Sequence, residues 1–485
     1  MKLSTLLLML GLASPALAQL QSGLRLENFS GTSGLIIDPT AHFNNPLRWD
    51  VNLAGAGLFL DNNYVFIRNS STLDLLRNVD ERTIFLRADE LEGPVGRDTY
   101  VIDFHTARRR HYAAVASYID GPALAVRIGS QHSIGFFTRA AVWGSSYDIP
   151  AKFSYYPYDR RPFYDTFRVP MLEGAMIGWK EYGLNYAVKI PTYYGSLRFG
   201  INGRALVGYE SAYVYSQKAF DYTKLPNNEI FIEGAMGTFG FTTTNLDIDN
   251  FDLVRNGNGL AVDVAASIAY GEDDEGNYLW RASMSLTNLG SLRFNHAEQH
   301  HIMADSSRLA LDDYRHYTDK LMDLKDLARQ FSYNTMGDSS ASYIGDRFRI
   351  SMPAAVNLQV DVSIAPNLFA NALVVQRLPT PDPSPKSPNL IAVTPRFEHR
   401  WFSASLPVVF YEWSDLRLGA ALRLGYLVVG SDNLLSHFGH RDFYGTDIYV
   451  ALKLNPFELH LSDIFGGTRS SQGPKRRGKV KCYKF

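Results

Sequence analysis

The sequence predicts an all-β protein, an antiparallel transmembrane β-barrel with one helical insertion. Three observations lead to this fold class. The chain begins with a secretory signal sequence. No later run reaches about 18 apolar residues, which excludes membrane-spanning helices and leaves a closed barrel. Long stretches alternate between apolar and polar residues, as barrel strands do. Because bacterial single-chain barrels have even strand numbers, we expect about 14 strands, with about 12 and 16 as alternatives.

The N-terminal signal has the three parts of a secretory leader. Lys2 is a positive n-region, residues 3–12 are an apolar h-region, and Ala16-Leu17-Ala18 is an A-x-A cleavage site. We expect the signal peptide, residues 1–18, to be cleaved after Ala18. A membrane anchor is the alternative, but the apolar run is too short to span a bilayer. The residue directly after the cleavage site is Gln19 and not a cysteine, which excludes a lipoprotein.

Composition limits the classes of function. Lys plus Arg (48) nearly equals Asp plus Glu (49), so no basic excess indicates a nucleic-acid partner. Cys482 is the single cysteine, which excludes a disulfide framework or a cysteine zinc site within one chain. The sequence contains no common catalytic or nucleotide-binding motif, and its histidine clusters lack acidic partners at a recognisable spacing. We therefore predict no enzyme activity, catalytic residue, cofactor or metal.

Residues 260–270 show the strand pattern clearly. Every second residue is apolar, and the intervening positions are small or polar. Similar runs at 195–209, 259–270 and 415–428 are long enough to cross a membrane, which needs about 10 residues against about 5–6 in soluble strands. Tyr209, Tyr270, Tyr278 and Tyr426, near the ends of such runs, are expected in an interfacial girdle. A soluble β-sandwich, which also alternates, is the alternative.

The same pattern divides the mature chain. Residues 19–47 form an N-terminal extension or plug, 48–460 the barrel, and 461–485 a basic periplasmic tail. Within the barrel, residues 295–346 are a partly helical insertion, because apolar residues from Leu309 to Phe331 recur at three- and four-residue steps. We expect Ser306 or Ser307 to cap this helix. It either packs on the barrel rim or lumen, or binds a partner.

The inward faces of the predicted strands carry charge. These lumen-facing candidates are Arg198, Arg204, Asp263, Arg281, Asp361, Arg417, Arg423, Asp447 and Lys453. Basic residues outnumber acidic ones in this set. In a filled barrel they pair with carboxylates, including those of the helix at Asp312, Asp313, Asp319, Asp323 and Asp326. In an open barrel the positive excess favours anions. We also expect arginine to be tolerated better at inward Ser285 than at outward Val264.

Two stretches carry a family resemblance. Residues 256–264 (Asn-Gly-Asn-Gly-Leu-Ala-Val-Asp-Val) and 281–290 (Arg-Ala-Ser-Met-Ser-Leu-Thr-Asn-Leu-Gly) resemble an uncharacterised family of Bacteroidota outer-membrane barrels. Asn288-Leu289-Gly290, followed by Met352-Pro353, is distantly similar to FadL-type barrels, which carry hydrophobic compounds and include the PorV-like component of type IX secretion. The entry motif of that group is replaced here by Asn45-Pro46-Leu47. The resemblance is structural and supplies no catalytic residues.

Two classes of function follow. One is a porin-like or FadL-like transport barrel that takes up a small or hydrophobic solute. The other is a structural or secretion-accessory barrel whose filled lumen leaves it to bind protein partners. In both cases the expected location is the outer membrane, and the expected partners are its lipid and the barrel assembly machinery. A small molecule or a secretion-system protein would be a further partner.

Overall fold

The computed structural model describes residues 21–78, 83–86, 99–105, 111–153, 161–245, 252–273, 277–310, 324–438 and 441–454. The predicted signal peptide (1–18) and basic tail (461–485) lie outside these residues.

Strands make up most of the described chain, with few helices. The described residues contain three α-helices: α1 Ser22–Arg25, α2 Thr72–Asn78 and α3 Leu324–Met336. Short 3-10 helices cover Asn28–Ile36, Ala41–Asn44, Ala151–Phe153 and Leu434–Ser436. The strands are β1 Trp49–Asn62, β2 Val65–Ser70, β3 Thr83–Leu86, β4 Thr99–Phe104, β5 His111–Asp120, β6 Ala123–Ile128, β7 His132–Ile149, β8 Thr166–Val169, β9 Glu173–Thr192, β10 Gly195–Ser216, β11 Phe220–Leu225, β12 Glu229–Thr242, β13 Gly257–Tyr270, β14 Trp280–Phe294, β15 Ala297–Ala310, β16 Tyr343–Gly345, β17 Phe348–Ser351, β18 Ala355–Ala365, β19 Leu368–Arg377, β20 Leu390–Glu398, β21 Phe402–Ser405, β22 Val408–Tyr411, β23 Asp415–Leu418, β24 Ala420–Leu424, β25 Leu427–Ser431, β26 Arg441–Phe443 and β27 Thr446–Leu454.

The large sheet closes into an antiparallel barrel of 14 strands, which confirms the predicted fold class and strand number. The barrel closes where β1 pairs with β27. This pairing runs from Val51, which lies opposite Leu454, to Leu60, which lies opposite Thr446. Several wall strands are interrupted, so that two or three segments form one strand. Around the barrel the wall is β1, β5–β6, β7, β9, β10, β12–β13, β14–β15, β16–β18, β19, β20, β21–β22, β23–β24, β25 and β27.

The two ends of the barrel differ. At one end, which we call the short-turn end, neighbouring strands are joined by turns such as 129–131, 193–194, 366–367 and 425–426. Both β1 at its start and β27 at its end lie there. At the opposite, long-loop end the connections are longer, for example between β7 and β9 or between β25 and β27. This asymmetry is typical of outer-membrane barrels.

Alternation places apolar side chains outside and polar ones inside. In β27, Ile448, Val450 and Leu452 are 42–44% exposed, whereas the residues between them, Tyr449 and Ala451, are at most 2% exposed. Since successive side chains of a strand point to opposite faces, this pattern gives the wall an apolar outer surface. Among the described residues, no helix is both long and apolar enough to cross a membrane.

The region 295–346 differs from the prediction at its start. Ser306 and Ser307 do not cap a helix, because they lie in β15, which pairs with β12 along its length. Ile302, Ala304 and Leu309 pack with Ile230 and Ile232 of β12, so a partner strand buries the apolar side chains. The described helix α3, Leu324–Met336, packs on β15 through Phe331 and Met336. Residues 311–323 lie outside the described part of the chain.

The N-terminal residues 21–45 lie inside the barrel, and we call them the luminal segment. Leu24 packs with Ala421, Val428 and Tyr449 of the wall. Elsewhere Leu26 and Ile37 join a buried cluster of wall residues, so the segment crosses much of the interior. Gly200 of β10 faces Pro39, and a Cβ at Gly200 would lie 2.7 Å from the Pro39 backbone. The wall and the segment are therefore in close contact.

Candidate functional site in the barrel lumen

Acidic wall residues bind the backbone of the luminal segment. Asp50 accepts hydrogen bonds from the backbone N–H and the Oγ1 of Thr32, each 2.8 Å long. Glu398 accepts the N–H of Asn28 at 3.1 Å. Wall carboxylates thus satisfy the backbone donors of Asn28 and Thr32 in the luminal segment.

Basic wall residues bind the same segment. Lys453 Nζ donates to the carbonyls of Phe29 at 2.7 Å and Ser30 at 2.5 Å, and lies 3.3 Å from Asp50. Arg423 Nε donates to Glu27 at 3.1 Å. Charged wall residues of both signs, on β1, β20, β24 and β27, therefore hold the luminal segment.

A network of wall residues surrounds Arg204. Its guanidinium donates to Glu181 at 2.9 Å and to Asp263 at 2.7 Å. Asp263 also accepts from Asn202, whose amide donates to the Leu35 carbonyl at 2.8 Å. The network therefore continues from the wall into the luminal segment.

A second network centres on Asp361. Arg396 donates to both carboxylate oxygens, at 2.7 and 2.8 Å, and Arg281 binds the same group. Tyr278 donates to Asp361 at 2.7 Å, so this tyrosine lies inside the barrel and the girdle position predicted for it is wrong. The strand β14 begins only at Trp280, which leaves Tyr278 in the preceding turn.

The remaining predicted lumen residues also have partners. Arg417 donates to Asp61 at 2.6 Å, and Arg198 donates to Glu272 at 2.9 Å and to Asn44 at 2.6 Å. Asp447 accepts the backbone N–H of Asp432 at 2.9 Å. All nine candidate positions are buried, none more than 6% exposed.

The acids that neutralise these residues differ from those predicted. Of the helical acids, Asp326 lies on α3 and pairs with Arg329 on the same helix, and the other four lie outside the described residues. The partners instead come from other strands, a turn and the luminal segment. The predicted positive excess is also wrong, because buried acids of the described wall and segment outnumber buried bases. The acids are Glu27, Asp38, Asp50, Asp61, Asp120, Glu181, Asp263, Asp361, Glu398, Asp432 and Asp447, against Arg25, Arg139, Arg198, Arg204, Arg281, Arg396, Arg417, Arg423 and Lys453.

Groups outside the wall strands have shifted pKa values. Burial raises the pKa of Asp432, in the loop after β25, to about 6. Its carboxylate accepts the backbone N–H and the hydroxyl of Ser22, at 3.1 and 3.2 Å, and so anchors the start of the luminal segment. Burial lowers the pKa of His42 to about 4, which keeps that imidazole neutral at neutral pH. The described residues contain no group of three or more His, Cys, Asp and Glu side chains placed to hold a metal.

Two cavities border the filled interior. One of about 770 Å³ lies at the long-loop end, beside Arg417, His105 and Tyr444. The other, of about 90 Å³, lies within the lumen between the luminal segment and the wall. We call it the lumen cavity. Its lining is largely apolar and includes Ile37, Trp143, Trp179, Val375 and Leu390.

Buried apolar side chains surround the lumen cavity. One cluster joins Leu26 and Ile37 of the luminal segment to wall residues that include Val375 and Leu390. A second contains Trp179, Leu206, Phe294, Phe348 and Met352, with Trp143 packed against both. This part of the interior differs from the water-filled polar lumen of a porin.

Comparison with known proteins supplies a family. A model described as "Family of unknown function (DUF5723)" matches residues 42–432. The chain belongs to this family. The uncharacterised barrel family named from the sequence is thereby confirmed, and DUF5723 spans the wall from before β1 to the end of β25. A search of curated proteins found no match.

Solved structures similar to this DUF5723 chain include FadL-type outer-membrane barrels. A deltaS2 mutant of TodX, described as a monoaromatic hydrocarbon channel, is 9% identical with a TM-score of 0.25, covering 88% of this chain and 95% of that one. The Ralstonia pickettii toluene transporter TbuX is 6% identical with a TM-score of 0.21, covering 88% and 94%. The siderophore receptor PirA from Pseudomonas aeruginosa is 9% identical with a TM-score of 0.18, covering 83% and 81%. At such TM-scores the likeness carries no argument about function.

Sequence reasoning missed several members of the lumen networks. Glu181 lies at an inward position of β9, and Arg396 and Glu398 lie at inward positions of β20, so the alternation that identified the other candidates would have found them. Glu27 lies in the luminal segment, where no periodic pattern indicates which way a side chain points. Arg139 lies in a predicted strand and borders the lumen cavity.

Proposed function

We propose that this chain is an outer-membrane barrel that takes up a small, largely apolar solute, with the luminal segment closing the path. The observation that supports this most directly is the lumen cavity. Apolar and aromatic side chains line it, and a cavity of that kind suits an apolar solute better than a hydrated ion. A porin for hydrophilic solutes would instead have a wide polar lumen.

The direction of the path follows from the two ends. Short turns face the periplasm in outer-membrane barrels, so the long-loop end would face outside. A solute would enter at the 770 Å³ cavity, pass into the lumen cavity, and leave when the luminal segment moves. Membrane lipid against the apolar outer surface, and the barrel assembly machinery during insertion, are the partners that this location requires.

A second function is favoured by a separate observation. Asp50, Glu398, Arg423 and Lys453 all bind the luminal segment, and these buried charged contacts would be costly to break. A segment held so firmly suits an accessory barrel with a permanently filled lumen, which would act by binding protein partners. The two functions differ in whether the segment moves.

A disulfide lock tests that difference. Thr40 Oγ1 of the luminal segment lies 2.8 Å from Ser267 Oγ of β13, so cysteines at both positions are close enough to bond. The variant T40C/S267C, made with C482S to remove the native thiol, is expressed in Gram-negative cells. Uptake of radiolabelled toluene and butyrate is measured before and after reduction. We expect the oxidised lock to reduce uptake of one or both at least fivefold, and reduction to restore it.

The C482S chain alone is the matched control, and its uptake should not respond to the reductant. Wild-type cells that take up neither solute faster than cells without the protein would contradict the uptake function. Equal uptake by the oxidised and reduced lock would show that the luminal segment does not close the path.

A further inference from the structure

Two arginines border the lumen cavity on its polar side. Arg25 comes from α1 in the luminal segment and Arg139 from β7 of the wall. Both guanidinium groups lie near the ring of Tyr118, at 5.2 and 4.5 Å from its centroid. Two positive groups on different elements therefore meet at one aromatic side chain.

These groups have unused hydrogen-bond donors. Arg25 and Arg139 are only 7% and 8% exposed. Among the described residues, Nε and Nη2 of Arg25, Nη2 of Arg139 and the hydroxyl of Tyr118 have no hydrogen-bond partner, whereas Nε of Arg139 lies against Asp120. Buried polar atoms in folded proteins are nearly always paired, so several unpaired donors around one cavity indicate an acceptor that binds there.

Among the described residues, Arg25 has no acidic partner at ion-pair distance. Asp120 lies 3.2 Å from Arg139 and interacts with Arg25 at longer range, and Glu181 also interacts with Arg139. Asp432 interacts with Arg25 at longer range, but its carboxylate already binds Ser22. Burial and the proximity of Arg139 lower the pKa of Arg25, the direction expected for a cation that lacks a close counter-ion. A bound anion would supply that counter-ion.

Much of the rest of the lining of the lumen cavity is apolar. Ile37, Trp143, Val375 and Leu390 line it together with the arginines. A ligand that fills the cavity therefore needs an anionic group at one end and an apolar body at the other. A planar carboxylate matches the donor geometry of a guanidinium.

We propose that the lumen cavity is a binding site for a short-chain carboxylate. Its head group accepts hydrogen bonds from Arg25, Arg139 and Tyr118, and its alkyl chain lies among the tryptophans and aliphatic side chains. This inference builds on the proposed uptake function, because it names the class of solute. The cavity of about 90 Å³ is smaller than the roughly 150 Å³ that holds benzene, so the site selects a short chain and excludes a long one.

Calorimetric titration of the purified full-length barrel in detergent tests the site. Butyrate, butan-1-ol and butylammonium have similar alkyl chains and differ in charge. We expect saturable binding of butyrate, at least tenfold weaker binding of butan-1-ol, and none of butylammonium. Decanoate, which is too long for the cavity, should bind at least tenfold more weakly than butyrate.

Variants locate the site. R25Q removes the arginine that lacks a close acidic partner, and we expect it to bind butyrate at least tenfold more weakly. R329Q removes an exposed arginine of α3 and should bind as the wild type does. If R25Q loses the heat-dependent gel mobility of a folded barrel, the variant does not fold. The comparison of the three ligands on the wild-type protein then tests the proposal by itself.

The proposal would be overturned if butyrate does not bind, if butan-1-ol binds equally well, or if folded R25Q binds butyrate unchanged. These outcomes are separate from those of the uptake experiment. Toluene uptake without butyrate binding would leave the uptake function and remove the carboxylate site. Butyrate binding without uptake of either solute would leave the carboxylate site and remove the uptake function.

Discussion

At the scale of single residues, the lumen depends on carboxylates shared between buried arginines. Asp361 accepts hydrogen bonds from Arg281, Arg396 and Tyr278. Replacing it with asparagine keeps the shape but removes the charge that neutralises two buried guanidiniums. Breaking a buried pair in this way costs about 3–5 kcal/mol, because an uncompensated charge is left behind. We expect Asp361→Asn to lower barrel stability by that amount in urea titrations followed by tryptophan fluorescence.

The matched control is Asp326→Asn on α3. Asp326 and Arg329 form a pair in which both side chains are more than half exposed, and such pairs contribute about 0–1 kcal/mol. A loss of stability in Asp361→Asn no larger than in Asp326→Asn would contradict the role assigned to the lumen network.

Asp432 makes the anchor of the luminal segment dependent on pH. Burial raises its pKa to about 6, above the value of about 3.9 for an exposed aspartate. Between these values the folded state binds more protons than the unfolded state. The stability contributed is therefore fully present below about pH 4 and is lost as the pH rises through about 6. Asp447 and Tyr449 are the ionisable groups packed against it.

We therefore expect the wild-type barrel to resist heat better at pH 5 than at pH 7.5, with a smaller difference in Asp432→Asn. The measurement is the temperature at which the folded band disappears from SDS gels at each pH. A pH difference in Asp432→Asn as large as in the wild type would assign the effect to other groups.

At the scale of elements, alternation assigns each strand a lipid-facing side. Val450 lies in the middle of β27, is 42% exposed and stands opposite Ala56 of β1. We expect Val450→Arg to destabilise the barrel by about 2–4 kcal/mol, because a charge near the bilayer midplane is poorly solvated. Leu279→Arg, at the short-turn end beside Trp280, should cost only about 0–1 kcal/mol. Folded yields in lipid vesicles provide the measurement, and equal yields for both variants would contradict the assigned faces.

The strands could be predicted from the sequence because their side chains repeat with a period of two. Runs such as 259–270 could be placed within a residue or two of β13, and their outward and inward faces were assigned correctly. The start of the helical region could not be predicted. The spacing of apolar residues around Leu309 also suits a strand, and Leu309 lies in β15, which pairs with β12.

The luminal segment was harder to predict for a different reason. Its contacts join residues far apart in the chain, such as Glu27 and Arg423, and they involve backbone groups without a pattern. Ser285 shows the consequence. The sequence predicted that arginine would be tolerated better at this inward position than at Val264 if there is room, but Ser285 is buried and donates to the Ile37 carbonyl at 2.5 Å. We therefore expect the inward substitution to be costly as well.

At the scale of the whole molecule, the same wall must present apolar side chains to the outside and pair its charged side chains on the inside. The outward residues need lipid, and the inward charges need counter-ions that the lumen itself supplies. Among the described residues, the buried acids and bases of the wall strands already balance, and the luminal segment adds further partners such as Glu27 for Arg423. The count made from the sequence gave a positive excess because it omitted inward strand acids such as Asp61, Glu181 and Glu398.

The filled interior predicts that the resting barrel is closed to ions. In planar bilayers we expect the wild-type protein to show no stable, large conductance, because residues 21–45 occupy the lumen. Deleting residues 21–45 while retaining residues 1–20 should open a large conductance, since Asp50, Lys453 and Arg423 would then face water. The oxidised T40C/S267C protein is the matched control and should be silent. A stable, anion-selective, large conductance from the wild type would contradict the closed lumen, and a silent deletion variant would show that wall side chains alone fill it.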